Sequence, residues 1–296
     1  MIQTHSDPDT GSHTLPGLPT WVTRRSAENA EDVAFLSGAA LIHLHHALNR
    51  PGIPHTLLRD RLALSAAEAC LTSSGRPERA ADLRDVLHLL RPGDHPGPAG
   101  EIYLSWRRAV ERPVSAKALH RALPAHSADR IATWLDAGQG VPMRRTAMVL
   151  ERVLTDAPQD EIAALILADA TLSRALGWDH LVPLLAGRLS RRDLRKSGDE
   201  LRHACHRAAV AAVPEIAGLA GDLARRAARL EAVAPKLRAK PAAQAVALFL
   251  SRDALSAGGL KHLMSDRAAR RFCDRLVALG AVCELTGRET FRLYGV

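Results

Sequence analysis

Apolar residues recur every three or four positions through most of this chain, and after Gly280 the period drops to two. The first stripe, Val33, Leu36, Ala40, Leu44 and Ala47, predicts a helix opened by Asn29 and Asp32 as a capping box. A second stripe (Leu58, Leu62, Ala66, Ala69) predicts a helix over about 56–74, which Gly75 stops. Pro77 then starts a third through Leu83, Val86 and Leu90. Ser115, Ser127, Pro142 and Pro158 mark further starts, with Gly138 and Gly177 at two ends. Residues 160–176 are strongly apolar, as befits a central helix, and 190–197 read as an exposed basic connection. Residues 199–233 read as one or two long helices broken near Pro214.

The last fifty-odd residues have their own order of elements. Pro241 suits a first helical turn, and 242–250 place Val246, Phe249 and Leu250 on one side. Ser256 caps a short second helix through Leu260 and Leu263, and Ser265 caps a third that Gly280 ends. On that third helix Ala269, Phe272, Cys273, Leu276 and Leu279 share a face. Arg267, Arg270, Arg271 and Asp274 lie opposite, with Arg275 on the border. Strands over 281–285 and 290–294, joined at Thr286-Gly287-Arg288, complete the element order of a winged helix. The expected fold is therefore all-α: a multi-helix domain, 29–240, followed by a small C-terminal winged helix-turn-helix, 241–296. Residues 1–28, rich in Ser, Thr, Pro and Gly, read as a disordered or loosely docked tail.

Charge sharpens this picture. The 40 Lys+Arg against 32 Asp+Glu leave +8, but 188–240 hold 13 basic and 6 acidic residues, and 242–296 hold 8 and 5. The basic character thus belongs to the second half, with Lys236, Arg238 and Lys240 forming a linker. An anionic partner is expected there, nucleic acid before a membrane surface, although an arginine-rich genome would leave the same trace. Only 3% of residues are aromatic, which disfavours base stacking on single strands and favours duplex DNA. Cys70, Cys205, Cys273 and Cys283 form no C-x-x-C pair, and no apolar leader or membrane-length window occurs. A cytoplasmic protein is expected.

Candidate chemistry is thin. His43 and His46 stand at i, i+3 with no acidic or cysteine partner nearby in sequence, and His203, Cys205 and His206 cluster without a second ligand pair, so helix surface is favoured there and no metal is expected. The segment 91–100 carries three prolines and three glycines, with Arg91, Asp94 and His95 as its one acid–base set and Trp106, Arg107 and Arg108 following. A turn-forming role for Asp94 is favoured over catalysis. Phosphate-loop, dinucleotide-loop, zincin and nucleophile-elbow motifs are absent, so no catalytic residue or cofactor is assigned.

Phe35-Leu36-Ser37-Gly38-Ala39-Ala40, the 91–100 loop leading into Trp106-Arg107-Arg108, and the run 265–296 together resemble a bacterial family of unknown function, domain-of-unknown-function family 1403, found mainly in alphaproteobacteria such as rhizobia. The resemblance spans nearly the whole chain and implies a cytoplasmic bacterial protein, without an activity. The ending 285–294 also resembles winged-helix tails that follow Fic-type domains, but the Fic loop H-x-F-x-x-G-N-G-x-x-R is absent.

The function expected is duplex DNA binding by a dimeric regulator, with Arg267, Arg270, Arg271 and Arg275 toward the groove and Arg288 on phosphate at the wing tip. The alternative is a protein-interaction or oligomerisation module, and a third, weaker reading is an enzyme built on the Asp94 loop.

Overall fold

The structure, a computed structural model, describes residues 17–23, 29–91, 93–237, 241–288 and 290–296. Most of the tail expected at 1–28, together with Arg238, Lys240 and Glu289, lies outside these. Within the tail, α1 (Thr20–Thr23) is a single turn that buries Val22.

The helical body is α2 (Ala30–Leu48), α3 (His55–Ser73), α4 (Ala80–Leu89), α5 (Gly97–Glu111), α6 (Ala116–Ala122), α7 (Ala128–Asp136), α8 (Pro142–Asp156), α9 (Glu161–Ala175) and α10 (Gly198–Val233). Side-chain caps set the starts: Asn29 accepts from the amides of Glu31 and Asp32, Ser115 from Ala118, and Ser127 from Arg130. Two starts assigned to proline move downstream. Asp82 accepts the Arg79 amide at 2.8 Å, so α4 opens after Arg79 and not at Pro77. Asp160 accepts the Ala163 amide at 2.9 Å, so α9 opens after Asp160 and not at Pro158.

α9 is central, buried without a break from Ala163 to Ser173. It packs against α8, while α10 packs against α2 and α8, and α3 against α5. The polar residues of α9 serve irregular backbone that runs through the core. Ser173 Oγ accepts from the Val182 amide at 3.0 Å and Asp169 from the Leu185 amide at 3.1 Å. Burial raises the Asp169 pKa well above the carboxylate norm, against the opposing pull of the amides of 184–186.

Contrary to the expected break, α10 is one continuous 36-residue helix with Pro214 inside it. The proline removes one ladder bond, a cost of about 3 kcal/mol. The buried stripe Ala209, Ala212, Val213, Ile216, Ala220 and Leu223 nevertheless keeps its phase across the site. Burial on both sides of Pro214 holds one axis.

The C-terminal unit comprises α11 (Ala242–Phe249), β1 (Leu255–Ser256), a 3-10 turn (Ala257–Leu260), α12 (Asp266–Ala278), β2 (Cys283–Glu284) and β3 (Leu293–Gly295). The expected second helix is thus only a 3-10 turn, with Ser256 Oγ accepting from Gly259. The strands form an antiparallel sheet in the order β1-β3-β2, with Leu255 opposite Tyr294 and Glu284 opposite Tyr294 on the other edge. Phe249, Leu260, Phe272, Leu276, Tyr294 and Val296 belong to the same apolar cluster as the helical body. Among the described residues, no helix is long and apolar enough to cross a membrane.

Candidate nucleic-acid interface

α12 is opened by Ser265, whose hydroxyl accepts from Ala268 at 3.4 Å, and closed by Gly280 at φ +61°. Ala269, Phe272, Cys273 and Leu276 are buried, and burial pushes the Cys273 thiol up to about 12. Arg267, Arg270, Arg271 and Arg275 are all exposed on the other side. Arg270 pairs with Asp266 at 2.9 Å, an ion pair in solvent worth at most a few tenths of a kcal/mol. A groove of about 590 Å³ runs beside this face, lined by Lys261, Arg270 and Arg292 with Asp266, Asp274 and Phe291.

The fifth sequence-assigned residue, Arg288, is placed differently. Its guanidinium forms an ion pair with Asp85 of α4, so it ties the hairpin tip to the helical body. Glu284, an acid on the hairpin, is turned into the hairpin itself. Its carboxylate accepts from the Thr286 hydroxyl and from the amides of Thr286 and Gly287, which holds its pKa below the usual range. The far end of α12 meets α10: a Cβ at Gly280 would lie 2.5 Å from Arg229 Nη2, so this guanidinium rests beside the carbonyl end of α12. Arg225 and Arg226 stand exposed on the same stretch of α10, Arg225 paired with Asp222.

What orients the unit was not visible along the chain. Asp253, 3% exposed, sits between Arg61 of α3 and Arg84 of α4. Arg84 donates twice, at 2.5 and 3.2 Å, and Arg61 also donates to the Val296 backbone oxygen at 3.1 Å. The Asp253 amide donates to Asp60 at 3.1 Å, and Asp60 accepts from Arg107 at 3.0 Å. Burial works against charge on Arg84, yet the hydrogen bond and charge of Asp253 keep its pKa above the ordinary value. These partners lie 47 to 235 residues apart, with no spacing motif to announce them.

The other candidates resolve simply. Arg91, Asp94 and His95 are exposed, and Asp94 accepts the Arg91 amide at 2.9 Å, closing a local turn. That removes the basis for an acid–base site on this loop. His206 is not helix surface: its Nδ1 lies 2.5 Å from Ser37 Oγ of α2, and burial lowers its pKa to about 4. Among the described residues, no three of His, Cys, Asp and Glu converge on a metal position.

The model of a family described as "Protein of unknown function (DUF1403)" matches residues 6–296. No curated protein matches the chain.

Proposed function

For a chain that belongs to the DUF1403 family, membership names no activity, and we propose from the geometry that residues 241–296 are a winged helix-turn-helix that binds duplex DNA. The order helix, strand, turn, helix, hairpin, with β3 between β1 and β2, supports the winged-helix reading. The observation that carries the function is α12 itself, with four guanidinium groups in solvent opposite a fully packed face. A guanidinium fork suits guanine O6 and N7 or a phosphate. In this reading the protein is a bacterial, cytoplasmic, dimeric regulator; its free cysteines suit a reducing compartment.

Four phosphate contacts give a salt slope of about 3.6, so affinity for random duplex falls about 100-fold between 50 and 200 mM salt. Fluorescence anisotropy measures this, and Arg267→Glu with Arg271→Glu removes the binding. Unchanged binding in that variant, or binding indifferent to salt, refutes the proposal. A second reading, that α12 contacts polypeptide, draws on Arg288, whose guanidinium is already paired with Asp85. Under that reading the same substitutions alter oligomeric state, and the protein has no DNA affinity.

A further inference from the structure

We propose that the cavity between the C-terminal unit and the helical body binds a small oxyanion, the phosphate or carboxylate group of a small molecule. The cavity has a volume of about 220 Å³ and is lined by Asp60 from α3, Arg84 and His88 from α4, Tyr103 and Arg107 from α5, and the segment Arg252, Asp253, Ala254 that leads into β1. Drug-sized pockets run to roughly 300–1,000 Å³. This one has room for a charged headgroup and a few further atoms.

The electrostatics select the sign of the ligand. Both carboxylates are already engaged: Asp253 by Arg61 and Arg84, and Asp60 by Arg107 and the Asp253 amide. Three groups remain without a hydrogen bond or ion pair among the described residues. They are the guanidinium of Arg252, the imidazole of His88 and the hydroxyl of Tyr103, a residue only 2% exposed. Tyr103 lines the cavity, and its phenol O–H can donate to a bound acceptor there. With Asp60 and Asp253 already paired, the unpaired guanidinium of Arg252 leaves the lining net positive, and donors of three kinds along it complement oxygen atoms bearing negative charge. Burial lowers the His88 pKa, and neutral imidazole still offers one N–H. The site needs both parts of the molecule, so a ligand there resists their separation. It rests on this seam alone and not on the DNA reading.

The test is thermal unfolding and calorimetry of the full chain with inorganic phosphate and, separately, succinate, in a buffer free of other oxyanions. Saturable stabilisation by either probe is expected, and the better probe names the headgroup. Arg252→Gln and Tyr103→Phe each weaken it about 10-fold or more. Arg270→Gln, on the exposed face of α12, leaves it unchanged. No saturable stabilisation by either probe overturns the proposal. So does stabilisation that survives both Arg252→Gln and Tyr103→Phe, or that Arg270→Gln abolishes, since it then arises elsewhere.

Discussion

Replacing Asp253 by Asn keeps the shape of the seam and removes the one charge that Arg61 and Arg84 share. Those two side chains are only 18% and 16% exposed, and Asp253 4%. Removing one partner of a buried ion pair costs about 3–5 kcal/mol, because the other is left without compensation. Here water reaches the outer edge of both guanidinium groups, which reduces the loss to about 2–4 kcal/mol. The loss falls on the docking of 241–296, since Arg61 also holds the Val296 backbone oxygen. Amide hydrogen exchange reads it directly. A docking free energy lower by that amount raises exchange in α12 and the sheet by roughly 30- to 1,000-fold. α9, packed in the body, keeps its protection. All four tryptophans precede residue 241, so fluorescence-detected urea unfolding does not report on the C-terminal unit and reads the rest separately. A double-mutant cycle with Arg84→Met completes the test: the second substitution costs less in the Asp253→Asn background than in the native one. Exchange in α12 unchanged by Asp253→Asn, or strictly additive losses, refutes the view that this cluster fixes the unit.

Two other perturbations probe the body. His206 is neutral in the fold, with its pKa lowered to about 4 by burial, then by the charges of Arg202 and His203, while an unfolded histidine titrates near 6.5. The unfolded chain therefore gains the proton first: this contribution is fully present above about pH 6.5 and is lost as pH falls toward 4, about 3 kcal/mol in all. Urea midpoints across that range fall less steeply for His206→Gln, and identical slopes contradict the assignment. Gly100→Ala places a Cβ 2.6 Å from Pro96 and 2.8 Å from Val86, so its unfolding free energy drops by about 1–3 kcal/mol through overpacking; a drop under about half a kcal/mol shows that the α4–α5 contact yields.

The parts legible in the sequence are those written in neighbouring residues. Asn29, Ser115, Ser127 and Ser265 cap helices because a cap acts within three positions, and α12 divides into buried and exposed faces as its period requires. Gly280 ends α12 by the same local logic. Pro214 misled because proline's local cost was weighed without the stripe that continues past it. His206 was misjudged for the opposite reason, and the Arg288 ion pair was equally hidden, since nothing near them in the chain reveals Ser37 or Asp85, 169 and 203 residues away. The Asp253 cluster is of that kind too.

The placement of charge separates two tasks that composition merges. In the seam, Asp253 engages two arginines and Asp60 a third, so those guanidinium groups serve the fold. On α12 four guanidinium groups stand in solvent with Asp266 and Asp274 on the same face, and the basic stretch of α10 adjoins them where Arg229 meets Gly280. If α12 binds duplex DNA as proposed, four phosphate contacts by one copy give weak, sequence-independent affinity, with Kd of about 10⁻⁴–10⁻⁶ M. Tight binding then requires two copies presenting α12 about 34 Å apart, one helical turn of duplex. In such a pair the tie at Asp253 would make that spacing a property of whatever joins the two bodies. Loosening the seam therefore weakens paired binding far more than single-copy binding.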